Sequence, residues 1–274
     1  MTTMQQQPSD KTAPWLSVLV PVYNVEPYLE ECLASVIEQS VHLPGVEILV
    51  LNDCATDGSA ALMQKLAQRW PGKLTLMQHE RNQGLSATRN SMMDVARGEY
   101  LWFLDSDDKI LPGGIAALHD IVKAHSPDVV LCDFAVWREK TKLKHRLRGE
   151  MHRRTFAGPA RKLITDRCGA LADVLMPGEL HVWSKISKRA LWADDLRFLV
   201  GQCYEDMTCV PLMMLRAASF YYADQPWIAY RQRSTSVLAN PNLNKAVDQS
   251  MALQAFHRAL QASNCAGEAR VQLA

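Results

Sequence analysis

Long apolar runs are missing from this chain of 274 residues. A membrane-spanning helix needs roughly 18–20 consecutive apolar residues. The longest candidates, near 101–104 and 129–136, are strand-sized. Residues 1–14 are polar and Gln-rich and lack the apolar core of a signal peptide. That predicts a disordered tail and a cytoplasmic protein. Excess charge is missing too, with 30 Lys and Arg against 29 Asp and Glu. Such balance points away from a nucleic-acid partner. Cysteine is sparse and scattered, seven residues without a CxxC pair. This argues against a zinc site or a disulfide framework, and for reduced thiols. Neither common phosphate loop occurs: no GxGxxG follows the first apolar run, and there is no GxxxxGKS or GxxxxGKT. Any phosphate charge must then be met by a metal ion and by Arg or Lys. Internal repeats are absent as well.

What is present is an ordinary globular composition, 48% hydrophobic and 22% charged. It fits one large domain, or one domain with an appendage. Apolar runs at 16–22, 46–51, 74–78, 100–104 and 128–137 read as strands. Between them apolar residues recur at helical spacing. Leu29, Cys32, Leu33, Val36 and Ile37 follow Pro27, and Leu62, Met63, Leu66 and Ala67 lie within 61–70. Segments 86–97 and 112–124 complete the set, with Gly98 read as a helix stop. This alternation predicts an α/β fold, a mostly parallel sheet flanked by helices on both faces. In such sheets ligands bind beyond the carboxyl ends of the strands.

Three strand ends carry polar side chains at that edge: Tyr23-Asn24, Asn52-Asp53, and Asp105-Ser106-Asp107-Asp108. The last is the sharpest feature of the chain. Tyr100 to Leu104 is apolar or aromatic throughout, and three carboxylates follow within four positions. Carboxylates this close repel one another, and burying them unpaired is costly. A hard divalent cation, Mg²⁺ or Mn²⁺, would relieve both problems. A solvated acidic turn leading into the next helix explains the same residues. This stretch alone does not choose between the two.

Beyond Trp137 the pattern changes. Residues 138–167 hold eleven Lys and Arg against three acids, and Lys140, Lys142, Lys144, Arg146 and Arg148 alternate as on one side of an extended segment. A solvated edge loop fits, as does a surface for anionic headgroups or pyrophosphate. Helices are expected near 168–176, 188–192, 207–217 and 244–262, with short strands at 220–222 and 228–231. The resulting division is a tail 1–14, an α/β half 15–137, a basic insertion 138–168, a second half 169–239 and a C-terminal helix 240–274.

Four stretches in order resemble the family 2 glycosyltransferases, inverting enzymes of the GT-A fold that use nucleotide-sugar donors. LSVLVPVYN (16–24) resembles the family's first strand and turn, and ILVLNDCATDGS (48–59) its second. NQGLSATRNSMMDVARGEYLWFLDSDD (82–108) resembles the run from the central helix into the DxD motif. GQCYEDMTCVPLMM (201–214), following HVWSKISKRAL (181–191), resembles the segment that carries the catalytic base in bacterial polysaccharide members. The likeness covers residues 16–235. Two departures stand out: Asn52 replaces the family's first turn aspartate, and Cys54-Ala55 replaces its Gly-Ser.

The resemblance implies a GT-A, Rossmann-like sheet with a smaller C-terminal acceptor-side region. It assigns Tyr23, Asn24, Asp53, Arg89, Asp105 and Ser106 to the nucleotide-sugar. Tyr23 would stack on the base and Asp53 would accept its ring N–H, which suits uracil but also thymine and guanine. Arg89 would reach the base or diphosphate, or pair with an acidic strand end, and Asn90 is structural. Asp107, with Asp105, would hold Mn²⁺ or Mg²⁺, and Asp108 would orient the loop or cap the helix that follows. Asp206 is the expected base, oriented by Glu205. Trp183, Lys185 and His181 would line the acceptor or donor-sugar pocket. Arg231, Arg233 and Ser234 fall where the family places a loop over the diphosphate. The partners implied are a nucleotide-sugar, a UDP-sugar foremost, and a saccharide or lipid-linked acceptor. Peripheral membrane contact through 138–167 would place the protein on the cytoplasmic face of the inner membrane. Two other readings compete. A sugar nucleotidyltransferase would need a glycine-rich basic loop after the first strand, which is lacking. A catalytically silent glycan-binding or scaffolding subunit would not need Asp105, Asp107 and Asp206.

Overall fold

β2 (Leu16–Val22) is buried at all seven positions and forms the middle of the first half of the sheet. The computed structural model describes residues 2–5, 13–138, 151–193, 195–232 and 243–274. β2 pairs in parallel with β3 (Val46–Asn52) and with β5 (Tyr100–Phe103), and β3 pairs with β4 (Leu74–His79). The crossovers are α1 (Glu26–Ser40), α2 (Ser59–Arg69) and α3 (Leu85–Val95). Strand periodicity sorts the apolar residues into two cores. Val18, Val20 and Val22 pack with Leu29, Leu33 and Val36 of α1 and Met63 and Leu66 of α2. Leu19, Leu49 and Leu51 face the other way, against Met92 and Met93 of α3. Each fully buried aliphatic side chain contributes about 1.5–3 kcal/mol.

The second half adds β6 (Lys109–Ile110), α4 (Gly114–His125), β7 (Val129–Trp137), β8 (His152–Arg153), β9 (Leu163–Ile164) and α5 (Arg167–Leu175). β10 (Lys185–Lys188), α6 (Glu205–Arg216), β11 (Phe220–Arg231), α7 (Leu243–Gln261) and α8 (Ala269–Leu273) complete it. With β1 (Thr2–Gln5), the strand order among the described residues is β1-β4-β3-β2-β5-β10-β7-β11-β6.

The α/β sheet is parallel from β4 through β3 and β2 to β5, as expected, with β1 antiparallel at its edge, and mixed in its second half. β10 runs antiparallel to both β5 and β7. Its four residues, Lys-Ile-Ser-Lys, are too short and too polar to read as a buried strand. β11 is one strand where two short ones were expected. Its pairing with β7 shifts register around Pro226, so the turn-like residues Asp224 to Pro226 form a bulge. Residues 2–5, expected within a disordered tail, form β1 and cover the edge of β4. Gly98 does not stop a helix, since α3 ends at Val95. A Cβ there would lie 2.5 Å from the Ser17 backbone nitrogen, so only glycine allows this approach.

The expectation of reduced thiols needs one correction. Cys168 and Cys265, 97 positions apart, form a disulfide. With the Arg270–Asp173 ion pair it ties α8 to α5. The other five cysteines are free. Of the basic insertion, residues 139–150 lie outside the described residues, as do Arg233 and Ser234. Among the described residues no helix is long and apolar enough to cross a membrane.

Candidate active site

β2, β3 and β5 end side by side, so their three polar turns share one edge of the sheet. In the first turn Asn24 has φ 52°, and its Oδ1 accepts from the Thr56 N–H at 2.7 Å. Asn24 thus braces the neighbouring turn. Tyr23 is 47% exposed. In the second turn Asn52 Oδ1 accepts from the Ala55 N–H at 2.9 Å, so the departure from aspartate leaves the turn capped. Asp53 is buried at the entry to α3. Its Oδ1 accepts from Gln83 N–H at 2.9 Å and pairs with His79 Nδ1 at 2.7 Å. Its Oδ2 accepts from Gly84 N–H at 2.8 Å.

The third turn is the acidic one. Asp105 is 30% exposed on its side chain and receives Arg89 Nη2 at 2.9 Å. Asp108 is buried, and its Oδ1 accepts the Arg231 N–H at 2.7 Å. Burial, then the charges of Asp107 and Asp105, push the Asp108 carboxyl well up. Its hydrogen bond ties the acidic turn to β11, and no side chain among the described residues caps α4. Arg231 donates from Nε to the Asp107 carbonyl, pairs with Glu31, and stacks on Trp137 at 3.7 Å. It therefore packs behind the acidic turn, not over a diphosphate as expected. Ser106 is buried. Tyr23, Asp53, Asn82, Asp105, Ser106 and Asp107 border a cleft of about 330 Å³.

Arg89 occupies the centre of the site. Its side chain is 1% exposed, on α3. Beyond Asp105, its Nη1 donates to Glu205 Oε1 at 2.9 Å and to Asp206 Oδ1 at 3.0 Å. Burial opposes its charge, but Asp206, Asp105 and Glu205 outweigh burial and push its pKa up. Of the two expectations for Arg89, pairing with an acidic strand end is the one observed. Asn90 exchanges two hydrogen bonds with the Phe198 backbone, a structural role as expected. Phe198 in turn lies under the Arg89 guanidinium at 5.1 Å.

Glu205 and Asp206 open α6, where backbone N–H groups favour negative charge. Asp206 Oδ2 also accepts the Val182 N–H at 3.1 Å. Burial and the charge of Asp206 push the Glu205 carboxyl up, against Arg89. A second cleft of about 480 Å³ is bordered by Asp105, Asp206, Glu205, His181, Tyr204 and Tyr230. The two clefts share Asp105 and Leu85. A concavity of about 530 Å³ between α2 and β4 lies away from all of these acids.

His181 forms part of the second cleft's wall. It stacks on Trp183 at 4.7 Å, and Tyr230 stacks on Trp183 at 5.6 Å. Trp183 is only 1% exposed, so its ring supports that wall from behind. Lys185 does not reach the cleft. It is fully buried in β10, with Nζ on the Glu179 carbonyl and on Ser184 Oγ at 2.9 Å. Strand alternation turns it inward, where a basic residue beside Trp183 suggested a ligand contact. Tyr204, Tyr230 and Leu180 were not foreseen as cleft residues, and neither was the buried His79. A histidine or tyrosine at a strand end gives no sign in sequence of which loop it will meet.

Among the described residues no three His, Cys, Asp or Glu side chains could hold a metal by themselves. Asp105 and Asp107 offer hard carboxylate oxygens beside a cleft. That donor set fits Mg²⁺ or Mn²⁺ completing its shell with water and phosphate oxygens.

Residues 17–174, more than half of the chain, match Glycosyl transferase family 2. The chain belongs to this family. Among family 2 relatives, glycosyltransferase GlyA of Streptococcus pneumoniae is 28% identical over 224 residues, 81% of this chain. The match spans only 31% of that protein. Solved structures share the fold. Staphylococcus aureus TarS 1–349 in complex with UDP-GlcNAc aligns at TM-score 0.68 and 23% identity, covering 90% of this chain and 73% of that one. Mannosyltransferase PcManGT from Pyrobaculum calidifontis, with GDP-Man and Mn²⁺, aligns at TM-score 0.56 and 16% identity, covering 93% and 66%. The fold of this family 2 member is therefore GT-A.

Proposed function

We propose that this chain is a metal-dependent, inverting glycosyltransferase of bacterial cell-surface polysaccharide synthesis. It moves a sugar from a nucleotide-sugar, a UDP-sugar foremost, to a hydroxyl of a saccharide or lipid-linked acceptor. The observation that carries this reading is the meeting of the two clefts at Asp105. One holds the residues for a nucleotide, the other the candidate base.

In this reading Tyr23 covers the nucleobase and Asp53 accepts its N–H. Asp107 and Asp105 hold the divalent ion. Bound there, it would neutralise charge on the departing diphosphate. Asp206 takes the proton of the acceptor hydroxyl as the sugar gains oxocarbenium character. Arg89 and the Val182 N–H hold that carboxylate in place, and Glu205 shares the guanidinium. His181 and Tyr230 give the second cleft an aromatic wall, a surface suited to sugar rings. The basic stretch 138–167 would hold the protein against anionic headgroups at the cytoplasmic face of the membrane.

A thermal-shift series with UDP-, GDP- and dTDP-sugars, with Mn²⁺ or with EDTA, tests the reading. A ligand that binds only the native state raises the melting temperature. A Mn²⁺-dependent rise with a UDP-sugar is expected. No rise with any nucleotide would favour the silent glycan-binding subunit.

A further inference from the structure

Asp53 belongs to a buried chain of hydrogen bonds that the transfer reaction does not itself require. His79, the last residue of β4, is wholly buried. Its Nδ1 faces Asp53 Oδ1 at 2.7 Å and its Nε2 faces Ser91 Oγ at 3.0 Å. A carboxylate only accepts, so Nδ1 carries the proton, and in the neutral ring Nε2 accepts from the serine hydroxyl. The His79 carbonyl also takes the Cys54 Sγ–H, at 2.9 Å. One residue therefore fixes both the Asp53 side chain and the turn on which it sits.

A carboxylate has about four acceptor positions. The protein fills three on Asp53, through His79 Nδ1 and the Gln83 and Gly84 N–H groups. Oδ1 is saturated, and one position remains, on Oδ2. Asp53 borders the first cleft beside Tyr23. A single remaining acceptor matches a base with one ring N–H flanked by carbonyls, as in uracil and thymine. Guanine presents two adjacent N–H donors and needs both carboxylate oxygens to receive them.

We infer that His79, backed by Ser91, is a specificity-determining positioning residue. It occupies Asp53 Oδ1 so that the cleft accepts a one-donor pyrimidine base and disfavours guanine. This rests on the reading of the first cleft as a nucleotide site.

Isothermal titration of the full chain with UDP, dTDP and GDP, Mn²⁺ present, provides the test. The unaltered chain should prefer UDP and dTDP to GDP by at least about tenfold, one charge-assisted hydrogen bond. In His79→Leu, Oδ1 regains an acceptor position and Asp53 can turn. UDP affinity should fall about tenfold while GDP holds, so the ratio approaches one. His79→Phe keeps a ring in the same place and removes the donor to Oδ1, and should narrow the ratio in the same direction. A merely structural role would lower the active fraction and leave the UDP-to-GDP ratio unchanged, because both ligands see the same folded molecules. An unchanged ratio in folded His79→Leu, or in His79→Phe where His79→Leu does not fold, overturns the inference. Asp53→Asn separates the two levels. If it binds UDP as the unaltered chain does, the nucleobase assignment fails and takes this inference with it.

Discussion

Arg89 on α3 and Asp206 on α6 stand 117 positions apart and share a 3.0 Å hydrogen bond in the interior. The other arm of the same guanidinium holds Asp105, at the end of the adjoining cleft. The acidic turn and the candidate base are thus fixed relative to one another by a single planar group. An arginine does this where a lysine does not, because its fork has a set geometry.

Removing that cation leaves three carboxylates facing one another with little water. Arg89→Met should lose about 3–5 kcal/mol of stability, the usual cost of breaking a buried ion pair from one side. Arg89→Lys should recover much of the stability yet turn over slowly, because a point charge cannot hold both acids in register. Urea denaturation with a transfer assay would show it. Stability of Arg89→Met within experimental error of the unaltered chain would contradict this account.

Asp206→Asn keeps the size of the side chain and removes its basicity. Donor and metal binding should persist while transfer falls by about 10²–10⁴. Asp107→Ala should instead weaken binding of both Mn²⁺ and the nucleotide-sugar. Near-normal transfer by Asp206→Asn would remove it from the base role.

The Cys168–Cys265 disulfide closes a long loop, 97 positions in sequence. Loops of about 100 residues give up to about 4.7 kcal/mol in the chain-entropy account, and typical measured values are nearer 2–4. Cys265→Ser should lower stability by that smaller amount. It should also increase hydrogen exchange in α8 before it does so in β2. Equal protection of α8 in oxidised and reduced protein would show that the Arg270–Asp173 pair suffices alone.

Burial pushes the Lys185 ammonium down to about 8, with nearby Cys132 and Asp206 opposing. Between that value and the ordinary 10.5 the unfolded chain binds more protons than the folded one. Stability from this group therefore rises with pH across the window, and is lost as pH falls through about 8. Lys185→Met should flatten that rise. Parallel stability profiles for the two proteins from about pH 8 to pH 10 would count against it.

Much of the first half of the sheet was legible because its signals are local. A buried run ending in carboxylates, and β-branched strands alternating with 3.6-period helices, need no distant partner to be read. The remainder depended on distant partners. Arg89 sits among polar neighbours on α3 and resembles a solvated residue until Asp105, Glu205 and Asp206 close on it. Lys185 looked available for the same reason, in reverse. Cys168 finds Cys265 only after α7 has crossed the surface of α6. The bulge in β11 hides a continuous strand behind turn-forming residues. Each of these was set by packing between segments far apart in sequence, which periodicity and spacing do not encode.

β10 pairs Lys188 with Tyr100 and Ser187 with Leu101, against the direction of β5. Its first residue therefore lies at the edge where β5 ends, and residues 181–184 arrive there beside the acidic turn. A parallel strand in the same slot would have delivered that segment to the opposite end of the molecule. One reversal of chain direction thus brings residues 181–184 to the same sheet edge as Leu85, Arg89 and Asp105, and the second cleft is built from both halves of the chain. The segments between β7 and β11 supply most of the rest of that cleft, and they can change without rethreading β2, β3, β4 or β5. A scaffold of this kind can change the far wall of the second cleft while the first cleft keeps its form.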